Sequence, residues 1–310
     1  MGKPIILDCD PGHDDAMAIL LARGCPDIDL LAITTVAGNQ TLEKTTLNAR
    51  RVCTVAHIDD VPIHAGCDRP LVRPPIIAAD VHGESGLDGP VFGEPKVPVS
   101  DEHAVDFLVR TLMASDGDIT LVPVGPLTNI AMALRREPRI VDRTRGVVLM
   151  GGAYTRGNRT PAAEFNILAD PEAAAIVFEA GWPLTMVGLE LTRQAGASQQ
   201  VIDEIGAIGT ALSAVVVELL TFFGSSYRQL RGLQAPPLHD PCAVAGVARP
   251  ELVTVCDAFV TVETRGQWTA GMTVTDFDLR LGHEANAKVA TRLDTDGFWA
   301  LMLDALRALN

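Results

Sequence analysis

An open α/β fold, with a mainly parallel but mixed sheet and helices on both faces, is what the order of apolar segments in this chain predicts. Short apolar runs of strand length are each followed by a longer stretch with helical spacing, and the pairing recurs along most of the sequence. Parallel strands need a crossover between them and are covered on both faces, so they read as continuous apolar runs rather than as alternating ones. A hydrophobic content of 47% against 21% charged residues fits a folded globular core. No shift in composition divides the 310 residues, so one domain over residues 1–310 is expected.

Taken in order, residues 4–7 pair with a helix over 14–23, residues 30–36 with one over 41–56, and residues 119–124 with one over 127–136. A strand over 147–150 follows. The helix expected over 171–180 begins at Asp170-Pro171, where a capping side chain precedes a residue suited to the first helical position. Residues 184–187 form the next strand, and 201–230 read as a long helical region. Within that region residues 205–223 carry Glu218 as their only charge, over a length that would suit a membrane span. A buried helix is the expected state, because a span there would part the last third of the chain from the aspartates of the first. Residues 252–263 and 268–275 flank Thr264-Arg265-Gly266-Gln267 as a hairpin, and 294–309 read as a closing helix.

Charge and cysteine content narrow the function. A formal net charge of −14, with no stripe of lysine or arginine, repels a phosphate backbone and argues against nucleic acid as a partner. The six cysteines lie apart without a CxxC pair, giving neither a zinc pattern nor a disulfide framework. The stretch MGKPIILDCDPG has too few apolar residues in a row for a secretion signal, so a cytoplasmic protein is expected, and Asn39-Gln40-Thr41 and Asn158-Arg159-Thr160 are not read as glycan sites.

The informative turn is DCDPGHDD, where a strand runs into Asp8, Asp10, Pro11-Gly12, His13 and the pair Asp14-Asp15 before a helix. Four carboxylates in one turn repel one another unless a cation compensates them. Oxygen ligands with no nearby thiolate or paired histidines select calcium or magnesium over zinc. The positive end of the helix dipole accounts for Asp14 and Asp15, but not for all four.

Other polar groups follow strand-like runs: Ala37-Gly38-Asn39, then Val124 with Gly125-Pro126-Leu127-Thr128-Asn129, then Met150 with Gly151-Gly152. The carboxyl ends of parallel strands share one rim, so Asp10, Asn39, Val124 and Met150 are expected in one crevice. Asn39 and Asn129 suit turn or capping roles equally well, and Asp240-Pro241, like Asp170-Pro171, also reads as a helix start. Residues 64–89, rich in proline and glycine with His82 near the middle, read either as a cover for the site or as a plain surface loop.

Together the segments DCDPGHDDAMAILLA, AGN, VGPLTNIA, MGGAY, NRTPAAEFNILADPEAA and HDPCAVA, in this order and with the closing NAKVATRLDTDGFWALMLDAL, resemble the inosine-uridine nucleoside hydrolase family nearly end to end. The resemblance implies a Rossmann-like fold, a tightly held calcium ion, a homodimer or homotetramer, and hydrolysis of ribonucleosides to ribose and free base. It implies that Asp10, Asp15, the backbone carbonyl of Val124 and Asp240 hold the calcium, with Asp10 also the general base for water. Asp14, Asn39, Asn158, Glu164 and Asn166 would grip the ribose, with Met150 and His82 beside them, and His239 would serve the leaving base. Residues 222–231, including Phe222, Phe223, Tyr227, Arg228 and Arg231, would face the base. Gly83 stands where purine-specific relatives carry a tryptophan, which leans away from strict purine preference.

Two rival readings differ in class. Asp8-Cys9-Asp10 after a first strand matches the acid pair of haloacid-dehalogenase-type phosphatases, but no lysine occurs between Lys96 and Lys288 to serve a phosphate. A catalytically silent nucleoside- or calcium-binding protein on the same fold would keep the same acids.

Overall fold

The computed structural model describes residues 2–309, apart from the side chain of Arg231. Among these, nine strands form one sheet in the order β3-β2-β1-β4-β5-β6-β9-β7-β8. The first half alternates as expected: β1 (Lys3–Cys9), α1 (His13–Gly24), β2 (Ile28–Thr35), α2 (Leu42–Val55), β3 (Ile63–Ala65), α3 (Ala79–His82), α4 (Ala104–Ala114), β4 (Thr120–Pro123), α5 (Thr128–Arg136) and β5 (Gly146–Met150). The chain continues through α6 (Phe165–Ala169), α7 (Pro171–Phe178), β6 (Leu184–Val187), α8 (Leu189–Thr192), α9 (Gln199–Gly206), α10 (Ala211–Arg231) and α11 (Pro241–Ala248). It closes with β7 (Val253–Val262), β8 (Thr273–Asp276), β9 (Ala287–Leu293) and α12 (Thr295–Ala308).

The strands from β3 to β9 in the sheet are parallel, and β7 and β8 add an antiparallel edge. Strand order reverses between β1 and β4, and in open α/β sheets ligands bind outside the carboxyl ends of the strands at such a point. β1 shows how the two faces are made. Ile5, Leu7 and Cys9 join the core under α1, α2, α11 and α12, while Ile6 joins the core under α4, α5 and α7. The strand is thus buried on both faces, and only the residues just beyond its carboxyl end can meet a ligand.

Three expectations are corrected. The region 201–230 is two helices, because Gly209 turns the chain with φ +78 and Thr210 then caps α10 by accepting from the Ser213 backbone N–H at 3.1 Å. No helix among the described residues is long and apolar enough to cross a membrane. The second hairpin strand begins at Thr273 rather than at 268: residues 263–272 form a turn closed by Gly271 N–H to the Glu263 carbonyl (2.7 Å), and Trp268 is 81% exposed. Finally, β3, α4 and β9 have no counterpart in the sequence reading. In β9 the charged Lys288 and Arg292 interrupt the apolar run, although Val289 and Ala290 are fully buried.

Candidate active site

The turn after β1 is bent so that its carboxylates are held by backbone amides. Asp15 accepts from the Asp10 N–H through Oδ1 (3.0 Å) and from the Gly12 N–H through Oδ2 (2.9 Å), which ties the first turn of α1 to the end of β1. Asn39, just past β2, locks this arrangement from the neighbouring strand. Its backbone N–H donates to Asp10 Oδ2 (2.6 Å), and its amide donates to Asp15 Oδ2 and to the Asp10 carbonyl (both 3.1 Å). Asn39 therefore braces the acids directly.

Asp240 arrives from the other end of the chain. Asp240-Pro241 does begin α11, with Asp240 at the N-cap position, but its side chain makes no capping hydrogen bond and is left for the site. Oxygens of Asp14, Asp15 and Asp240 instead lie within 4.8 Å of one another. Asp15 thus lies against Asp240 as well as against the turn that carries Asp10. Two carboxyl groups can approach so closely only with a proton or a cation between them. Asp170, by contrast, does cap its helix, accepting from Ala173 N–H at 3.1 Å.

Burial raises the affinity of all four acids for protons. Asp10, Asp14 and Asp240 are pushed well above the usual carboxylate range, by burial first and by their neighbours' charge second. Asp15 is raised by burial too, but the N–H groups of Gly12 and Asp10 oppose the shift. Asp10 Oδ1 is buried with no hydrogen-bond partner. It has room because Gly38 and Gly125 lie against it: a Cβ on Gly125 would stand 2.4 Å from Oδ1, and one on Gly38 would stand 2.1 Å from Oδ2. An unpartnered carboxylate oxygen beside three converging carboxylates is the donor set of a hard divalent cation.

A narrow cleft of about 50 Å³ opens over this cluster, lined by Asp14, Asn39, Val124, Met150 and Asp240 on one side. His82, Phe223, Tyr227 and His239 line the other. Asn158, Glu164 and Asn166 close its end. Asn166 sends its amide to the carbonyls of Val124 (2.7 Å) and Met150 (3.1 Å), fixing the ends of β4 and β5. Glu164 caps α6 and also accepts from the Gly152 N–H (3.0 Å); burial raises it to about 7. Asn158 accepts from the Phe165 N–H (2.9 Å). The loop 64–89 is no plain surface loop. α3 carries His82 into the cleft wall, and Arg159 ties it to the segment opposite through Asp80 (2.8 Å).

His239 is held on both ring nitrogens, with Thr192 Oγ1 2.7 Å from Nδ1 and Tyr227 Oη 3.1 Å from Nε2. Phe223 packs edge-on to Tyr227, with ring centres 4.8 Å apart, and stacks on His82 and His13. Of the segment 222–231, the arginine at 228 is exposed, and the side chain of Arg231 lies outside what the structure describes. Thr192 and the ring contacts of His13 escaped the sequence reading. A single threonine in a short helix carries no signal, and His13 sits inside a motif whose acids drew the attention.

Two residues belong elsewhere. Asn129 neither caps α5 nor reaches the cleft: it donates to Asp8 Oδ1 (2.7 Å) and to the Thr35 carbonyl, and accepts from Cys67 N–H. Asp8 is buried beneath the rim with Thr34 and Asn129 and is raised by burial to about 7. A nucleophile must reach its substrate, so the phosphatase pairing of Asp8 with Asp10 loses its first member. A larger hollow of about 880 Å³ lies at the opposite end of the sheet near Lys3, Gly146 and Leu184, without such a cluster of acids among the described residues.

Residues 5–300 match the family model described as inosine-uridine preferring nucleoside hydrolase. An inosine-uridine preferring nucleoside hydrolase of Crithidia fasciculata is 50% identical over 100% of this chain and 99% of its own length. A pyrimidine-specific ribonucleoside hydrolase of Escherichia coli is 47% identical over 98% and 97%. Among solved structures, a purine-preferring ribonucleoside hydrolase from Gardnerella vaginalis superposes with a TM-score of 0.93 at 31% identity, covering 99% of each chain.

Proposed function

The chain belongs to the inosine-uridine preferring nucleoside hydrolase family, and on that footing we propose that its cleft holds calcium and cleaves the N-glycosidic bond of a ribonucleoside, giving ribose and free base. The observation that carries the proposal is the convergence of Asp14, Asp15 and Asp240 beside the unpartnered Asp10 Oδ1, at the point where strand order reverses.

Held by Asp10, Asp15, Asp240 and the Val124 carbonyl, calcium would supply the charge that lets these buried acids ionise together and would draw sugar hydroxyls and a water to one place. Asp10 Oδ1 has no other partner and takes the proton from the attacking water, while Asn39 keeps Oδ2 engaged. Asp14, Asn39, Asn158, Glu164 and Asn166 grip the ribose, and Asn166 also steadies the Val124 carbonyl. Positive charge grows on the sugar as the base leaves, and the acids around it stabilise that charge. His239, oriented by Thr192 and Tyr227, gives the departing base a proton or hydrogen bond. His82 and Tyr227 complete the base side, with Met150 beside the sugar.

The proposal extends to a cytoplasmic homodimer or homotetramer acting in nucleoside salvage as a single domain, with sedimentation velocity the check on assembly. The test of the chemistry is release of reducing sugar from uridine, cytidine, inosine and adenosine. Ribose release that disappears on chelation, returns with calcium, and is lost in Asp10→Ala is expected. No release by folded, calcium-loaded protein would favour the silent binding role.

A further inference from the structure

Asn158 lines the cleft from a loop with little apolar anchorage of its own. From Tyr154 to Ala162 no residue is buried, and Thr155, Arg156, Arg159 and Pro161 are exposed. Polar contacts from α8 hold the loop instead. Glu190 accepts from the Tyr154 N–H through Oε2 (3.1 Å) and from the Thr155 N–H through Oε1 (2.7 Å), and the Thr155 hydroxyl also donates to Oε1. Arg193, which caps the helix, donates through Nη2 to the carbonyls of Arg156 (3.1 Å) and Gly157 (3.0 Å), the residues just before Asn158. A carboxylate thus grips the loop by its N–H groups and a guanidinium by its carbonyls. Hydrogen bonds of this kind are stronger than those between neutral groups.

The loop turns back on itself, with the Gly157 N–H reaching the Pro161 carbonyl (3.0 Å) and the Asn158 N–H the Ala163 carbonyl (3.2 Å). Arg159 ties its outer side to Asp80, so α8 supplies the opposite hold. That anchor is firm. Leu189 and Leu191 are fully buried, and the Gln194 amide donates to the Thr291 carbonyl (3.0 Å) and accepts from the Leu293 N–H (3.1 Å), both on β9. The same helix carries Thr192 to His239.

We infer that Glu190 and Arg193 are positioning residues that set the 154–158 segment, and with it Asn158, against the sugar, so that α8 fixes the spacing between the sugar grip and His239. The inference rests on the nucleoside-hydrolase reading. Calcium at the acid cluster draws sugar hydroxyls to itself, so the end of the cleft where Asn158 and Glu164 stand meets the hydroxyl on C5′. Neither Glu190 nor Arg193 lines the cleft, so each acts on substrate through the loop.

The experiment compares kcat/KM for uridine and 5′-deoxyuridine in calcium-loaded native protein, Glu190→Ala and Arg193→Ala, with hydrogen–deuterium exchange of residues 154–160 as a readout independent of turnover. Each alanine variant should lose about tenfold on uridine, the scale of one charged hydrogen bond, and less than about twofold on 5′-deoxyuridine, which lacks the hydroxyl at stake. Exchange at 154–160 should quicken in both. Arg193→Lys, whose ammonium can donate to the same carbonyls, should recover most of the loss. In an Asn158→Ala background Glu190→Ala should cost nothing more, because its effect runs through Asn158. Equal losses on the two substrates, or unaltered exchange, would overturn the inference and make α8 a merely structural brace. Ribose release by the native protein is checked first: its absence strikes the hydrolase reading and this inference with it, whereas equal losses in an active protein strike the inference alone.

Discussion

The acid side of the cleft comes from one turn, residues 10–15, completed by Asp240, whereas the ring-lined side is gathered from α1, α3, α8, α10 and the segment before α11. On the first side backbone N–H groups hold the carboxylates, and the geometry follows from the strand-to-helix bend itself. On the second, rings are held by other side chains, so each position depends on several others. The difference separates what every substrate needs, a gripped sugar and an activated water, from what only a particular base needs. Substitutions on the acid side should therefore lower activity on all nucleosides alike, while those on the ring side should sort among them.

The largest expected effect is that of Asp10→Asn, about 10³-fold to 10⁴-fold in kcat on every nucleoside, from loss of the general base and of a ligand charge. His239→Ala should cost about 10²-fold on natural nucleosides and less on ribosides with good leaving groups. Steady-state kinetics on both kinds of substrate make the comparison, and a uniform loss in His239→Ala would erase the distinction between the two sides. A smaller effect concerns the sugar's far end. With Asp14, Glu164 and Asp240 lining the cleft and Asp10 and Asp15 packed beside them, a 5′ phosphate meets like charge, so uridine should be turned over faster than its monophosphate; equal rates would show that the acid side does not extend that far.

The subtlest prediction concerns stability. Asp8 and Glu164 are raised by burial to about 7 from ordinary values of 3.8 and 4.5. Folding then favours their protonated forms. Their contribution to stability is fully present below the unfolded values and is lost as pH rises towards 7. Thermal melts of chelated protein should show Tm falling from about pH 4 to pH 7, with a shallower fall in Asp8→Asn. A Tm that rises through this window would mean that these acids are ionised in the folded chain.

How far the site was legible follows the same division. Like charges crowded between Asp8 and Asp15 point to a cation without any structure, and the convergence of strand ends brings Asn39, Val124 and Met150 to them. The fold was legible where strands are continuous apolar runs, as in β1, β2, β5 and β6, and not in β9, where Lys288 and Arg292 reach the surface between buried neighbours. Asn129 shows the limit of local reading. Its composition suits a turn or the site, yet it bridges Asp8 and the backbone of Thr35 and Cys67, partners that only the folded chain brings together.

β9 is the last strand in sequence but lies inside the sheet, parallel to β6 and antiparallel to β7, and the helix that follows it packs on α1. The join to α1 is close, since a Cβ on Gly24 would stand 2.2 Å from the Ala305 carbonyl oxygen. During synthesis, therefore, β6 waits for about a hundred further residues before its second neighbour is made. Until then its open edge is a template for misplaced strands. Pairings this distant are slow to form, so this edge of β6 becomes secure only after β9 has left the ribosome.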